Sequence, residues 1–187
     1  MSRFPADLPS PCFVLEQAAL RRNLAVLARV QREAGVKIIL ALKGFAMHAA
    51  FPEVRRVLPG CTASSPYELR LAHEEFGGEV HAYAPVYPER DFPEYARHCT
   101  HLTFNSLAQL DRFRDRAPGV SLGLRVNPQY SPVETDLYNP CVPGSRLGIR
   151  AELLGDRLPA GVEGLHVHNL CESAAEAQEV IDEIDAG

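Results

Sequence analysis

The sequence predicts an α/β protein: an incomplete parallel (β/α) barrel of the TIM type, with about six of eight βα units. Three observations predict it. From about residue 11 onward, short β-rich runs alternate with helix-patterned stretches, as in a parallel sheet assembled from βα units. The run KIILALK, residues 37–43, is apolar without alternation, as expected of a strand covered on both faces. The GxGxxG fingerprint of an open, doubly wound dinucleotide-binding sheet is absent.

The elements follow in chain order. PCFVLE, residues 11–16, is the first short β-rich run. From Gln17 to Ala34, Leu20, Leu24, Leu27 and Val30 recur at spacings of three and four, which buries one face of a helix. KIILALK follows, flanked by Gly35 and Gly44. CTASS then leads into a helix from about Pro66 to Phe76, started by Ser65 and Pro66 and stopped by Gly77 and Gly78. EVHAYAP precedes a short helix near Glu89 to His98, and HLTFNS precedes one from Leu107 to Arg116. SLGLRVN opens into a long Pro- and Tyr-rich segment between Asn127 and Gly148. A loop of that length inside a compact domain is usually functional. GLHVHNL is the last strand, and the chain ends inside the helical pattern AAEAQEVIDEIDAG, two strands short of a closed barrel.

Composition narrows the function classes. At 187 residues and 46% hydrophobic content the chain is long enough to bury a core. No apolar run approaches bilayer length and the first residues lack a signal core, so no membrane partner and a cytoplasmic location are expected. A net charge of -5 with scattered arginines argues against nucleic acid. Cys12, Cys61, Cys99, Cys141 and Cys171 form no CxxC pair, which argues against a disulfide framework or structural zinc; each reads as a small buried hydrophobe.

Chemistry in a parallel barrel gathers at the C-terminal ends of the strands. Lys43 ends KIILALK, where partial desolvation would suit its amine to condensation with an aldehyde; the bland alternative is a solvated lysine closing a strand. His166 and His168 share one face of the last strand. They could chelate a metal, face a planar cofactor, or be satisfied core histidines. CTASS, HLTFNS and SLGLRVN offer no further ligands at their ends, so metal ranks third and no metal site is expected. Arg125, near the end of SLGLRVN, and Arg146, in GSRLG, each offer directed hydrogen bonds to an anion, with a surface ion pair as the bland alternative.

Taken together, PCFVLE, ALKGFAM, TASSPYEL, LRVNP, VETDLYNPCVPGSRLG and GLHVHNLCE resemble carboxynorspermidine (carboxyspermidine) decarboxylase, of the alanine-racemase-like group of pyridoxal-phosphate enzymes. The resemblance spans Pro11 to about Glu172, so the chain looks like an N-terminal fragment; it implies that PCFVLE is one strand of a β-rich second domain that is otherwise missing, dividing the chain into 1–16 and 17–187. It implies that Lys43 carries pyridoxal 5'-phosphate covalently and that His168 stacks on its ring. It also implies that His166, Arg125 and Arg146 belong to the cofactor's surround, and that Asp136 and Glu172 face a cationic, carboxylated polyamine substrate. The implied activity is decarboxylation to norspermidine or spermidine in polyamine biosynthesis, by a homodimer in full-length members and impaired in a truncated chain. A non-catalytic pyridoxal-phosphate-binding barrel is the alternative. The glycine-rich phosphate strand and the acidic partner of the pyridine nitrogen, which such enzymes carry further along, have no counterpart here.

Overall fold

The computed structural model describes residues 8–155 and 157–170. Helix α1, Gln17–Ala34, has the bounds its leucine stripe predicts; it closes on Gly35 in the left-handed region at φ 68°, whose N–H returns to the Gln31 carbonyl. Leu24 is buried, and Leu20 and Leu27 pack on the core beside it.

Seven strands follow: β1 Leu40–Ala41, β2 Gly60–Ala63, β3 Glu79–Tyr83, β4 His101–Phe104, β5 Ser121–Asn127, β6 Ile149–Arg150 and β7 Val162–Val167. Every pairing is parallel, β1 through β5 are adjacent in sequence order, and β7 joins β5. Val126 pairs with both Ile149 and Val167, so β6 and β7 lie on opposite edges of β5. The six expected strands are therefore present in one parallel sheet; β6 is an addition at the end of the long loop. KIILALK contributes only Leu40 and Ala41 to the ladder, shorter than the run suggests.

Short helices connect the strands: α2 Phe51–Val54, α3 Pro66–Leu71, α4 Phe92–His98 and α5 Leu107–Phe113. The helix expected to reach Phe76 finishes in a π turn over Ala72–Phe76, and α5 finishes in a 3₁₀ turn over Arg114–Arg116. The helix α2 was not foreseen, because FPEV is too short to show periodicity. Two strand ends share one device. Ser65 accepts a hydrogen bond from the Glu68 N–H while Glu68 takes that of Ser64; Ser106 accepts from Gln109 N–H while Gln109 takes that of Asn105. Both helices thereby leave their strands at a fixed angle.

The two sheet faces differ sharply. Toward the helices, Val80, Ala82, Leu102, Phe104 and Leu124 meet Phe51, Leu69, Phe92 and Leu110 in the core. Buried Tyr87 seals this layer: its hydroxyl accepts from Ala84 N–H at 3.1 Å and donates to the Thr103 carbonyl at 2.7 Å. The other face carries Thr62, His81, Tyr83, His101, Thr103, Ser121 and His166, and lines an interior cavity of about 490 Å³.

Residues 12–16 form no strand, and Phe13 is 96% exposed; a strand needs a ladder partner, and none is present among the described residues. Glu172 and the final helical pattern lie outside the described residues. No helix among the described residues is long and apolar enough to cross a membrane.

Candidate active site

The C-terminal ends of the strands surround a cleft of about 890 Å³. Lys43 enters it just beyond β1, Ser64 just beyond β2, Tyr83 from the end of β3, Arg125 from β5, and His166 and His168 from β7 and the residue after it. Residues 137–140 and 144–147 of the long loop form the remaining wall. The sheet curls far enough that Lys43, from the β1 edge, acts electrostatically on His168 at the β7 edge. Curvature thus brings opposite ends of the sheet to one site.

The chain contains two lysines, Lys37 and Lys43. Lys37 is paired with Glu79 at the other end of the sheet, so Lys43 is the amine available to the cleft.

Arg125 is 6% exposed, its guanidinium carbon 4.9 Å from the Tyr83 ring centroid. No carboxylate among the described residues pairs with it. A buried cation without an anion is costly, and the anion has to come from whatever fills the cleft. At 6% exposure Arg125 is not a surface ion pair. Around it, titration is suppressed. Burial, then the charges of Arg125 and His168, drive His166 down to about 4, so its ring is neutral near pH 7. Burial, then Arg125 and Lys43, also lowers His168, while burial raises the Tyr83 hydroxyl and keeps it protonated. The result is two neutral imidazoles and a phenol beside fixed positive charge.

Arg146 reaches the cleft through a scaffold that the sequence reading missed. Asn105 Oδ1 accepts from the Tyr83 hydroxyl and from the Gly148 N–H, both at 2.8 Å, and its amide donates to the Arg146 carbonyl at 2.8 Å. One side chain at the end of β4 ties β3 to the loop that presents Arg146. Gly148 permits the approach: at φ 84°, any Cβ would stand 2.9 Å from the Asn127 nitrogen and the Val126 carbonyl carbon and 3.2 Å from the Arg125 side chain. The signal was the pair TASS and TFNS, which place a polar residue at equivalent strand ends.

Asp136 behaves differently. It is exposed in the turn that precedes Leu137, and the cleft is lined by residues 137–140, not by Asp136 itself. Leu137 and Tyr138 supply an exposed apolar lip that was not anticipated. Asn169 is buried just past His168 with its amide nitrogen unpartnered among the described residues.

No family-level sequence model matches the chain. Individual proteins do. A carboxyaminopropylagmatine decarboxylase from Synechocystis is 54% identical over 170 residues, which cover 90% of this chain and 44% of that protein. The crystal structure of carboxynorspermidine decarboxylase from Campylobacter jejuni, complexed with norspermidine, superposes with a TM-score of 0.82 at 38% identity, covering 95% of this chain and 46% of that one. Nearly the whole chain is homologous to carboxynorspermidine-type decarboxylases. It spans about half the length of the relatives it matches. The fold extends beyond the carboxynorspermidine-type enzymes: diaminopimelate decarboxylase from Helicobacter pylori superposes with a TM-score of 0.66 at 13% identity over 89% of this chain and 49% of that one. The curled parallel sheet is thus the barrel half that these decarboxylases share.

Proposed function

We propose that the chain supplies the lysine-bearing wall of a pyridoxal-phosphate decarboxylase acting on a carboxylated polyamine, in the cytoplasm and as a homodimer. The observation that carries the reading is Lys43 in one cleft with the buried, carboxylate-free Arg125 and the neutral His166. These residues fit the cofactor. Lys43 would hold it through Nζ; His166 and His168 offer ring faces kept uncharged; Arg125 and Arg146 suit its anionic oxygens. Once bound, pyridoxal phosphate supplies an electron-poor ring that accepts the electron pair released as the substrate carboxylate departs as carbon dioxide. The protein would orient the scissile bond, with Lys43 Nζ, Leu137 and Tyr138 lining the same cleft.

The substrate class follows from the relatives' chemistry and the chain's charge. A net charge of -5 favours a multiply cationic substrate, and Asp136 and Glu134 lie exposed in the loop beside the cleft. The named relatives divide between carboxyaminopropylagmatine and carboxynorspermidine or carboxyspermidine, and the former has the higher identity, 54% against 42%. The test supplies pyridoxal phosphate and measures carbon dioxide from all three compounds. The expected result is a visible cofactor band that borohydride bleaches and Lys43→Ala abolishes. Turnover by this chain alone should be weak, because among the described residues β1 and β7 each keep one edge without a strand partner. A band that persists in Lys43→Ala overturns the reading, and its absence from the unaltered chain would favour neither enzyme nor carrier.

A further inference from the structure

At the opposite, N-terminal end of the strands lies a second cluster of chemistry-bearing residues that the proposed reaction does not use. Glu79 opens β3, His81 follows two residues later on the same face, and His101 opens β4 beside it. The imidazoles of His81 and His101 stack with centroids 4.0 Å apart and planes within 4°. The His81 Nε2 lies 3.2 Å from Glu79 Oε2, and one ligand atom from each of the three residues falls within 4.8 Å of the others. We propose that Glu79, His81 and His101 form a binding site for one divalent transition-metal ion of the zinc type, clamping β3 to β4 at the base of the sheet.

Two histidines and a carboxylate are a donor set that zinc accepts with water completing the tetrahedron. Tetrahedral ligand atoms at about 2.1 Å from the ion stand roughly 3.4 Å from one another, so closure needs side-chain movements of about an ångström. The surroundings favour that closure. Thr100 Oγ1 lies 2.9 Å from His101 Nδ1 and is itself held between the Val80 N–H and carbonyl, which fixes the ring and leaves Nε2 for an ion. His81, His101, Thr62 and Ser121 all line the interior cavity of about 490 Å³, where water ligands have room. Ser121, the Cα partner of His101, binds Glu163 from β7 and places a further carboxylate at the same end.

One group opposes an incoming ion: Lys37, whose ammonium is paired with Glu79 Oε1. That opposition gives a test that loss of folding cannot imitate. Zinc(II) and cobalt(II) chloride are titrated by calorimetry and absorption into the full chain and its variants, with no pyridoxal phosphate present. The expected result is one ion per chain and a cobalt spectrum of nitrogen and oxygen ligands without thiolate bands. His81→Gln and His101→Gln should each weaken binding about tenfold or more, the range that disturbing a metal site's shell produces. Lys37→Met should tighten it, and Lys43→Ala should leave it unchanged. Binding unaltered in both histidine variants, no binding at millimolar zinc, or weaker binding in Lys37→Met overturns the proposal.

Discussion

Replacing Asn105 with alanine tests whether the loop carrying Arg146 is held by the end of β4. The substitution removes the acceptor of the Tyr83 hydroxyl and of the Gly148 N–H and the donor to the Arg146 carbonyl, each bond being 2.8 Å long. The first two are partly buried and cost about 1 kcal/mol each when lost; the third is exposed and adds a few tenths. The expected loss is about 2–3 kcal/mol, and with a urea dependence of about 2 kcal/mol per molar the unfolding midpoint should fall by about 1 M. Amide exchange at Gly148 should accelerate together with that shift, because its N–H loses its acceptor. Pyridoxal-phosphate affinity should fall through displacement of Arg146, while Lys43 keeps its reactivity. A midpoint shift under about 0.2 M with Gly148 protection intact would refute the reasoning, since the loop would then be held by something else.

Other outcomes follow from the same geometry. Gly148→Ala forces a left-handed residue against backbone atoms 2.9 Å away and should cost about 2 kcal/mol or more in urea unfolding, with the cleft wall displaced. Tyr87→Phe leaves the Ala84 N–H and Thr103 carbonyl without their buried partner and should lower stability by about 1–2 kcal/mol by the same measurement. His166 is neutral in the fold, with its pKa moved from 6.5 to about 4, so the unfolded chain binds the extra proton between those values. Its contribution is therefore complete above pH 6.5 and lost as the pH falls toward 4, on the order of 2 kcal/mol; His166→Gln should flatten the stability profile in that window. A profile equally steep in the variant would assign the acid sensitivity elsewhere.

Much of this architecture was legible because its signals are local. The stripe Leu20, Leu24, Leu27 marks out α1 over its observed length, and the serines before α3 and α5 mark their starts by the hydrogen bonds they make. The strands were found in order because β-rich runs alternate with helices, and KIILALK overshot its two ladder residues because apolar content reports burial and not pairing. PCFVLE has strand propensity but makes no ladder among the described residues, because propensity cannot supply a partner. In the cleft, Lys43, Arg125, Arg146, His166 and His168 converge from four separate segments, as strand-end reasoning anticipates in a parallel barrel. Asn105, Tyr83 and the lip of Leu137 and Tyr138 escaped notice because their roles depend on contacts 22 to 43 residues apart in sequence or on the course of an aperiodic loop. His81 and His101 escaped for a different reason, since attention to the C-terminal strand ends passes over residues nearer a strand's start.

With two lysines in the chain, covalent mapping is decisive. The protein is treated with a limiting amount of pyridoxal phosphate, reduced with borohydride, digested and sequenced by mass spectrometry. The account predicts the phosphopyridoxyl group on Lys43, with Lys37 unmodified in its pair with Glu79. Modification of Lys37 in preference to Lys43, or equal modification of both, would contradict it.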